Sequence, residues 1–281
     1  MSRVRILTDS TSDIPAAIAA RLGITVVPAY VQIGNRSYQD SPSAGGLSRE
    51  EFYRQLPEIA DVPTTAVPPA HEFTIAYRNL VGEADEVIAL VISTQLSGMY
   101  NVAYLGAQDV PELKVHVVDS QQVTMGLGWM AIAAAEAAAE GKESSEILAL
   151  IEKIKPRVHV YAMLDTLEYL HRSGRVSWAR AKTAQLLRIK PIVEVFLGPV
   201  RNVGRARTRK RAIEQLMELT RALGPLERLA VLHTYAPDLE EFQDRLASLG
   251  SPRQLLTVAV TTIVGAHVGP RGLGVAAVVA G

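Results

Sequence analysis

Short apolar runs that each end in a small polar turn, with a helix-forming stretch behind, recur through the first half of the chain. No other feature constrains the fold as strongly. VRILT (4–8) leads to SDIPAAIAARLG (12–23), EVIALVIS (86–93) to a helix starting near Leu96, and KVHVVDS (114–120) to a helix from Met125 to Glu140. Strands alternating with helices argue for parallel βαβ units. The unbroken apolar run Val87–Ile92 argues for strands covered on both faces. Between these units lie a strand over ITVVPAYVQI (24–33), a helix over SREEFYRQL (48–56) with Ser48 and Glu51 spaced as a capping box, and a helix over HEFTIAYRNLVGEA (71–84). The expected fold is α/β, with a three-layer parallel-sheet domain over residues 1–156.

The second half reads differently. A helix over SSEILALIEKIK ends near Pro156, and HVYAML is a strand. Helical stretches around TLEYLHRSG and SWARAKTAQLLR follow. IVEVFLG and the basic strand VGRARTRK then flank Gly198-Pro199 as a hairpin. ERLAVLHTYA, a helix over PDLEEFQDRLASL, QLLTVAV and GVAAVVA complete the chain. This predicts a second, two-layer α/β domain with a mixed sheet over 157–281, and a cleft between the domains as the place for a ligand.

Composition narrows the function. With 29 basic and 29 acidic side chains, no net field draws the molecule to nucleic acid or anionic membrane. Cysteine is absent, which removes disulfides and thiolate chemistry and suits the cytoplasm. No apolar run reaches the roughly 18 residues of a membrane span. A phosphate loop of Walker type, a glycine-rich dinucleotide turn, a G-x-S-x-G elbow and HExxH are all missing. The six histidines are scattered, so neither a metal nor another cofactor is expected. A serine hydrolase would need a base paired with Ser97, and the sequence offers none.

Three strand ends carry small polar residues where open parallel sheets bind ligands: Thr8-Asp9-Ser10-Thr11, Ser93-Thr94 and Asp119-Ser120. Helix capping explains Asp9 and Asp119 equally well. Ser97-Gly98 opens a helix and offers a hydroxyl, free amides and the positive dipole end, which suits a carboxylate or phosphate. His267 lies in GAHVGPRGLG, which reads as a compact loop with four glycines. In RNVGRARTRKRA (201–212), Arg205, Arg207 and Arg209 share one face if the stretch is a strand. That face is either a charged, protected edge or a surface for phosphate or an acidic partner. Nucleic acid is a third reading, weakened by the lack of stacking aromatics.

The stretches ILTDSTSDIP, PTTAVPPAHEF, ISTQLSGMYNVA, VVDSQQVTMGLG, LDTLEYLHRSGRVSWA with LLRIKPI, RTRKRA and GAHVGPRGLG resemble, in order, the DegV family of bacterial fatty-acid-binding proteins. The match spans essentially the whole chain. The resemblance implies one long-chain fatty acid held between two domains, its tail in an apolar tunnel and its carboxylate at the cleft. Carried over by position, Thr65, Ser97, Gly98 and His267 hold the head group, with Arg175 nearby. Some family members present the acid to a separate ATP-using kinase subunit that makes acyl-phosphate for phospholipid metabolism. Arg207 matches an arginine near that reaction. Such a subunit is not itself an enzyme, binds no nucleic acid and has room for transient membrane contact. Ser97→Ala is expected to weaken or mis-seat the acid, and Ser43→Ala to leave it alone.

Two departures stand out. Thr65-Ala66-Val67-Pro68 replaces the family's common Thr-Ser-Gln-Pro, and Arg271 follows Gly269-Pro270 where a glycine is usual. Arg271 adds a cation beside the exit for product, or a merely exposed side chain. The tail dominates the energetics: about 0.8 kcal/mol per buried CH₂ gives on the order of 11 kcal/mol for ~14 methylenes before ordering costs.

Overall fold

The computed structural model describes residues 3–41, 47–59, 62–176, 178, 189–247 and 254–281. Its elements, in order, are β1 (Val4–Asp9), α1 (Ala16–Leu22), β2 (Thr25–Val27), β3 (Tyr30–Ile33), β4 (Arg36–Gln39), α2 (Arg49–Gln55), β5 (Thr64–Ala66), α3 (Ala70–Arg78), β6 (Glu86–Val91), α4 (Met99–Gln108), β7 (Lys114–Asp119), α5 (Met125–Ala139) and α6 (Ser144–Ile154). Then come β8 (Val158–Met163), α7 (Glu168–Ser173), β9 (Lys190–Val195), β10 (Val200–Ala206), α8 (Arg209–Ala222), β11 (Leu226–His233), α9 (Leu239–Ala247), β12 (Gln254–Ala259), α10 (Thr262–Val268) and β13 (Leu273–Val279). Apart from Trp178, the stretch SWARAKTAQLLR lies outside the described residues, as does Ser43.

The α/β architecture expected from the sequence is present. Strands β2-β1-β6-β7 form a four-stranded parallel sheet, and β10-β9-β8-β13-β11-β12 form a six-stranded mixed sheet in which only β11 and β12 run parallel. The sequence reading did not foresee the third sheet, β4-β3-β5, which is small and antiparallel. ITVVPAYVQI is not one strand. It divides at Pro28 into β2, which joins the parallel sheet, and β3, which joins the small one. Proline lacks the N–H a continuing ladder needs, so the chain changes sheets there.

Helix α5 explains how the two larger sheets meet. It packs on β1 and β6 and also on β8, β11 and β13, and it is apolar all round, with twelve of its fifteen residues buried. Such a helix belongs inside a core. Small residues let it fit. A Cβ on Gly128 would stand 2.5 Å from the Ser12 carbonyl oxygen, and one on Gly126 would stand 2.6 Å from the Val160 side chain. The Trp129 indole donates to the Ala276 carbonyl at 3.0 Å, tying the helix to the mixed sheet.

Period-two alternation divides the mixed sheet's faces. Met163, Leu229, Val231, Val275 and Ala277 pack with Leu216, Met217 and Phe242 of α8 and α9. Val158, Val160, Ala230, Leu232, Ala276 and Val278 join the core of the first half. All strands up to residue 119 belong to the parallel and small sheets, and all from 158 onward to the mixed sheet. The apolar core runs through this change of sheet without a break.

Candidate functional site

A cavity of about 480 Å³ lies between the parallel sheet's C-terminal strand ends and the inner face of the mixed sheet, within the range of small-molecule sites. Its walls are aliphatic: Val160, Val193, Val195 and Leu232 from the mixed sheet, Ile263 and Val264 from α10, and Ile92 from the parallel-sheet side. These residues are far apart in sequence. Each follows from local patterning, since Val193, Val195 and Leu232 are the inward members of alternating strands.

Polar side chains collect at one part of this wall. Ser97 and Gly98 end the turn after β6, and Gly98 is the N-cap of α4. The turn closes through Ser97 N–H to the Ser93 carbonyl at 3.1 Å. The Met99 amide donates to Ser97 Oγ at 3.3 Å, which leaves the hydroxyl proton free to point outward. Gly98 is exposed, and a Cβ on it would meet nothing within 4 Å. Thr65 sits in β5 opposite Val31 of β3, and its Oγ1 lies 2.9 Å from His267 Nε2. Arg175 reaches back from the turn after α7 to donate from Nε to the Leu96 carbonyl at 3.3 Å. Thr65, Ser97, Gly98, Arg175 and His267 all line the cavity.

His267 corrects one expectation. It is not in a glycine-built loop but in the last turn of α10, where Thr261 caps the helix through Val264 N–H. The turn proper is Gly269–Gly272; Gly269 has φ +79°, and the Tyr169 ring leaves no room for a Cβ there. Burial, helped by the nearby Arg175 cation, pushes the His267 imidazole down to about 4. At neutral pH it is therefore an uncharged ring with one donor and one acceptor nitrogen. It can donate to Thr65 Oγ1, freeing the threonine proton for an anion.

The basic segment also differs from its reading. Strand β10 stops at Ala206, and Thr208 caps α8 by accepting from Arg211 N–H at 3.3 Å. Arg205, Arg207 and Arg209 therefore do not share a strand face. Arg209, in the first turn of α8, donates to Asp238 through Nε and Nη2, both at 2.6 Å, and to Asp165 at 3.1 Å. Arg205 and Arg207 are exposed. Thr208 is a strong capping residue, and strand-like alternation in the sequence cannot reveal where such a cap ends a strand. Arg271 is exposed with φ +64°; its amide donates to the Thr234 carbonyl at 2.7 Å, and its Nε lies 3.9 Å from Asp165. It adjoins Gly272, which lines the cavity, and is not among the head-group cluster.

Sequence reasoning missed a buried tie behind the cavity. Asp13 accepts from Thr261 N–H at 2.8 Å and lies 3.4 Å from the Arg49 guanidinium, which also donates to the Ala259 carbonyl. The Tyr53 hydroxyl lies 3.0 Å from the Val260 carbonyl. These contacts join the β1–α1 turn and α2 to the β12–α10 turn. Burial pushes the Asp13 carboxyl up to about 7 against the pull of Arg49. The DSTSD run looked like a helix cap, and nothing in it pointed to a partner some 250 positions away.

The model of the DegV family of uncharacterised proteins matches residues 3–280. The chain belongs to the DegV family. A DegV domain-containing protein of Streptomyces coelicolor is 35% identical over 284 residues, covering 98% of each chain. Among solved structures, the chain is similar to a DegV family protein from Thermus thermophilus that binds fatty acid, with 34% identity, a TM-score of 0.89, and 99% of this chain and 100% of that one covered. It is also similar to DegV from Bacillus subtilis, a fatty acid binding protein, with 27% identity, a TM-score of 0.88 and both chains covered in full. No helix among the described residues is long and apolar enough to cross a membrane.

Proposed function

We propose that this DegV family protein binds one long-chain fatty acid, with the tail in the aliphatic cavity and the carboxylate at the polar cluster. The observation that carries the reading is the Thr65–His267 hydrogen bond on the wall of an otherwise aliphatic cavity, with Ser97 and the α4 N-terminus on the same wall. The relatives described as fatty-acid-binding support it. His267 donates to Thr65 Oγ1, Thr65 and Ser97 donate to the carboxylate oxygens, and the amides and dipole of α4 add to the field. Arg175 supplies a full positive charge from the exposed rim. No proton is transferred and no bond is broken at the cluster, so the protein acts as a carrier and not as an enzyme.

The finer part of the proposal is presentation. The carboxylate lies near the surface, where a separate ATP-dependent kinase subunit in the cytoplasm would convert it to acyl-phosphate, with exposed Arg207 and Arg271 facing that partner. Native mass spectrometry of the purified protein, with mass analysis of its organic extract, tests binding. One long-chain acid per chain is expected; an empty protein that also refuses palmitate and oleate contradicts the reading. Hydroxylamine trapping of acyl-phosphate tests presentation: product should need protein, acid, ATP and kinase subunit together.

A nucleic-acid-binding role through residues 201–212 is the weaker reading. Arg209 is committed to Asp165 and Asp238, and the segment turns from strand to helix in its middle.

A further inference from the structure

Helix α10 has two working faces. Ile263, Val264, His267 and Val268 face the cavity. Thr261, Thr262 and Gly265 meet four polar side chains from the first half of the chain. Asp13 Oδ1 accepts from Thr261 N–H at 2.8 Å, and Thr262 Oγ1 donates to Asp40 Oδ1 at 3.3 Å. The Tyr53 hydroxyl lies 3.0 and 3.1 Å from the Val260 and Thr261 carbonyls, and a Cβ on Gly265 would collide with its ring. Arg49 donates to the Ala259 carbonyl and lies 3.4 Å from Asp13 Oδ1. None of these four side chains lines the cavity, and the head-group reading uses none of them.

A buried network is a costly way to hold a helix. Asp13 is 1% exposed, has a left-handed backbone with φ 55°, and its Oδ2 has no hydrogen-bond partner in the protein. Hydrophobic contact is non-directional, whereas a hydrogen bond fixes direction as well as distance, so such a network suits a place where register matters. Here it fixes the first turn of α10, roughly 9 Å along the helix axis from His267. His267 Nε2 must stand at 2.9 Å from Thr65 Oγ1, on a strand of the first half. The helix packs on α2, β3 and β5 of that half and on α7 of its own. Polar bonds join it to the first half at both ends: the tie at Thr261, and the Thr65 bond at His267.

Resting on the fatty-acid reading above, we propose that Asp13, Arg49 and Tyr53 are positioning residues for the carboxylate site. Through α10 they hold His267 in line with Thr65, and His267 in turn aims the Thr65 hydroxyl at the carboxylate. A helix shifted at its first turn still closes over the tail, because apolar contact tolerates small displacements. The Thr65–His267 bond does not, since hydrogen bonds weaken steeply with misalignment. The tie therefore controls the preference for an acid over an uncharged molecule with the same tail more than it controls affinity for the tail.

The test is a titration of palmitate and of 1-hexadecanol, which has the same chain length and no carboxylate, into full-length wild type, Asp13→Ala, Asp13→Asn and Tyr53→Phe. Wild type should bind both, palmitate the more tightly. Asp13→Ala removes the acceptor for Thr261 N–H and should cut that preference about tenfold, mostly through lost palmitate affinity. Asp13→Asn keeps an oxygen for Thr261 and should bring the preference back to within about twofold of wild type. Tyr53→Phe keeps the ring against Gly265, loses the hydroxyl and should cut the preference about threefold; it carries the test if Asp13→Ala does not fold. Palmitate and hexadecanol weakened alike in the variant that carries the test would make the tie a strut for the whole cavity, which overturns the proposal and leaves the fatty-acid reading standing. A preference unchanged in that variant, or one that Asp13→Asn fails to restore, overturns it as well. If wild type does not bind both molecules with palmitate the tighter, the fatty-acid reading falls too.

Discussion

Two polar regions of this molecule were visible in the sequence, and they met opposite fates on folding. Thr65, Ser97, Arg175 and His267 are separated by up to about 200 positions, yet the fold brings them to one wall of one cavity, with Thr65 and His267 in direct contact. Residues 201–212 carry arginines close together in sequence, yet a capping threonine divides them between strand end and helix, and Arg209 is taken up by two aspartates. Proximity along the chain marks a surface only when one element carries it through. Of the four, only Ser97 follows a strand of the parallel sheet, where a ligand is expected; Thr65 comes from the small antiparallel sheet, Arg175 from the turn after α7 and His267 from the last turn of α10, so packing of the elements and not spacing brings them together.

The comparison can be sharpened first through the tail. Shortening the acid from sixteen to eight carbons removes eight methylenes from an aliphatic cavity, at about 0.8 kcal/mol each, and should weaken binding by roughly four to five orders of magnitude. Calorimetric titration with the two acids measures it, and a loss below tenfold would mean the cavity does not house the tail. Next, Ser97→Ala removes a donor to the carboxylate and His267→Ala removes the partner that orients the Thr65 hydroxyl, each at a cost of about 1–3 kcal/mol, or roughly 5–150-fold in affinity. Arg205→Ala, the control from the basic segment, should change affinity less than about twofold. Equal losses in all three would erase the distinction between the regions.

A smaller effect concerns pH. The folded His267 titrates at about 4 against an ordinary 6.5, so its contribution is present above 6.5 and lost as pH falls through 4. Asp13 is the opposite case: its folded value of about 7 lies above an ordinary 3.8, so its contribution is present below 3.8 and lost as pH rises through 7. His267→Asn should remove a rising limb of stability between those values, and Asp13→Asn a falling one. Urea unfolding between roughly pH 4.5 and 8 reads both slopes. Unchanged slopes would show that neither side chain is buried as described. The smallest effect on acid affinity belongs to Arg207→Ala, which should leave it unchanged while slowing acyl-phosphate formation by the kinase subunit. A loss of affinity would move Arg207 into the binding site.

What the sequence revealed follows the same division. Element types were legible wherever periodicity was long. The strands over 86–93 and 114–120 and the helix from Met125 to Glu140 were read where β6, β7 and α5 lie, whereas the burial of twelve of the fifteen residues of α5 emerged only with the fold. The break at Pro28 was written in the sequence too, but an apolar run on both sides of a proline looks like one strand until the sheets are seen. His267 was misplaced because glycines in GAHVGPRGLG suggest a loop, whereas Thr261, outside that window, caps a helix running to Val268. The Asp13–Arg49 tie had no sequence signature at all. It depends on what the fold sets opposite one side chain, and a single sequence carries no record of such a pairing.

A crystal structure of the protein with palmitate brominated at its terminal carbon would test the central claim most directly. The account predicts bromine anomalous density within the aliphatic cavity, far from the rim, with the carboxylate in hydrogen-bond range of Ser97 Oγ and Thr65 Oγ1. Bromine at the rim, or a carboxylate held anywhere other than the wall shared by Thr65, Ser97 and His267, would contradict it.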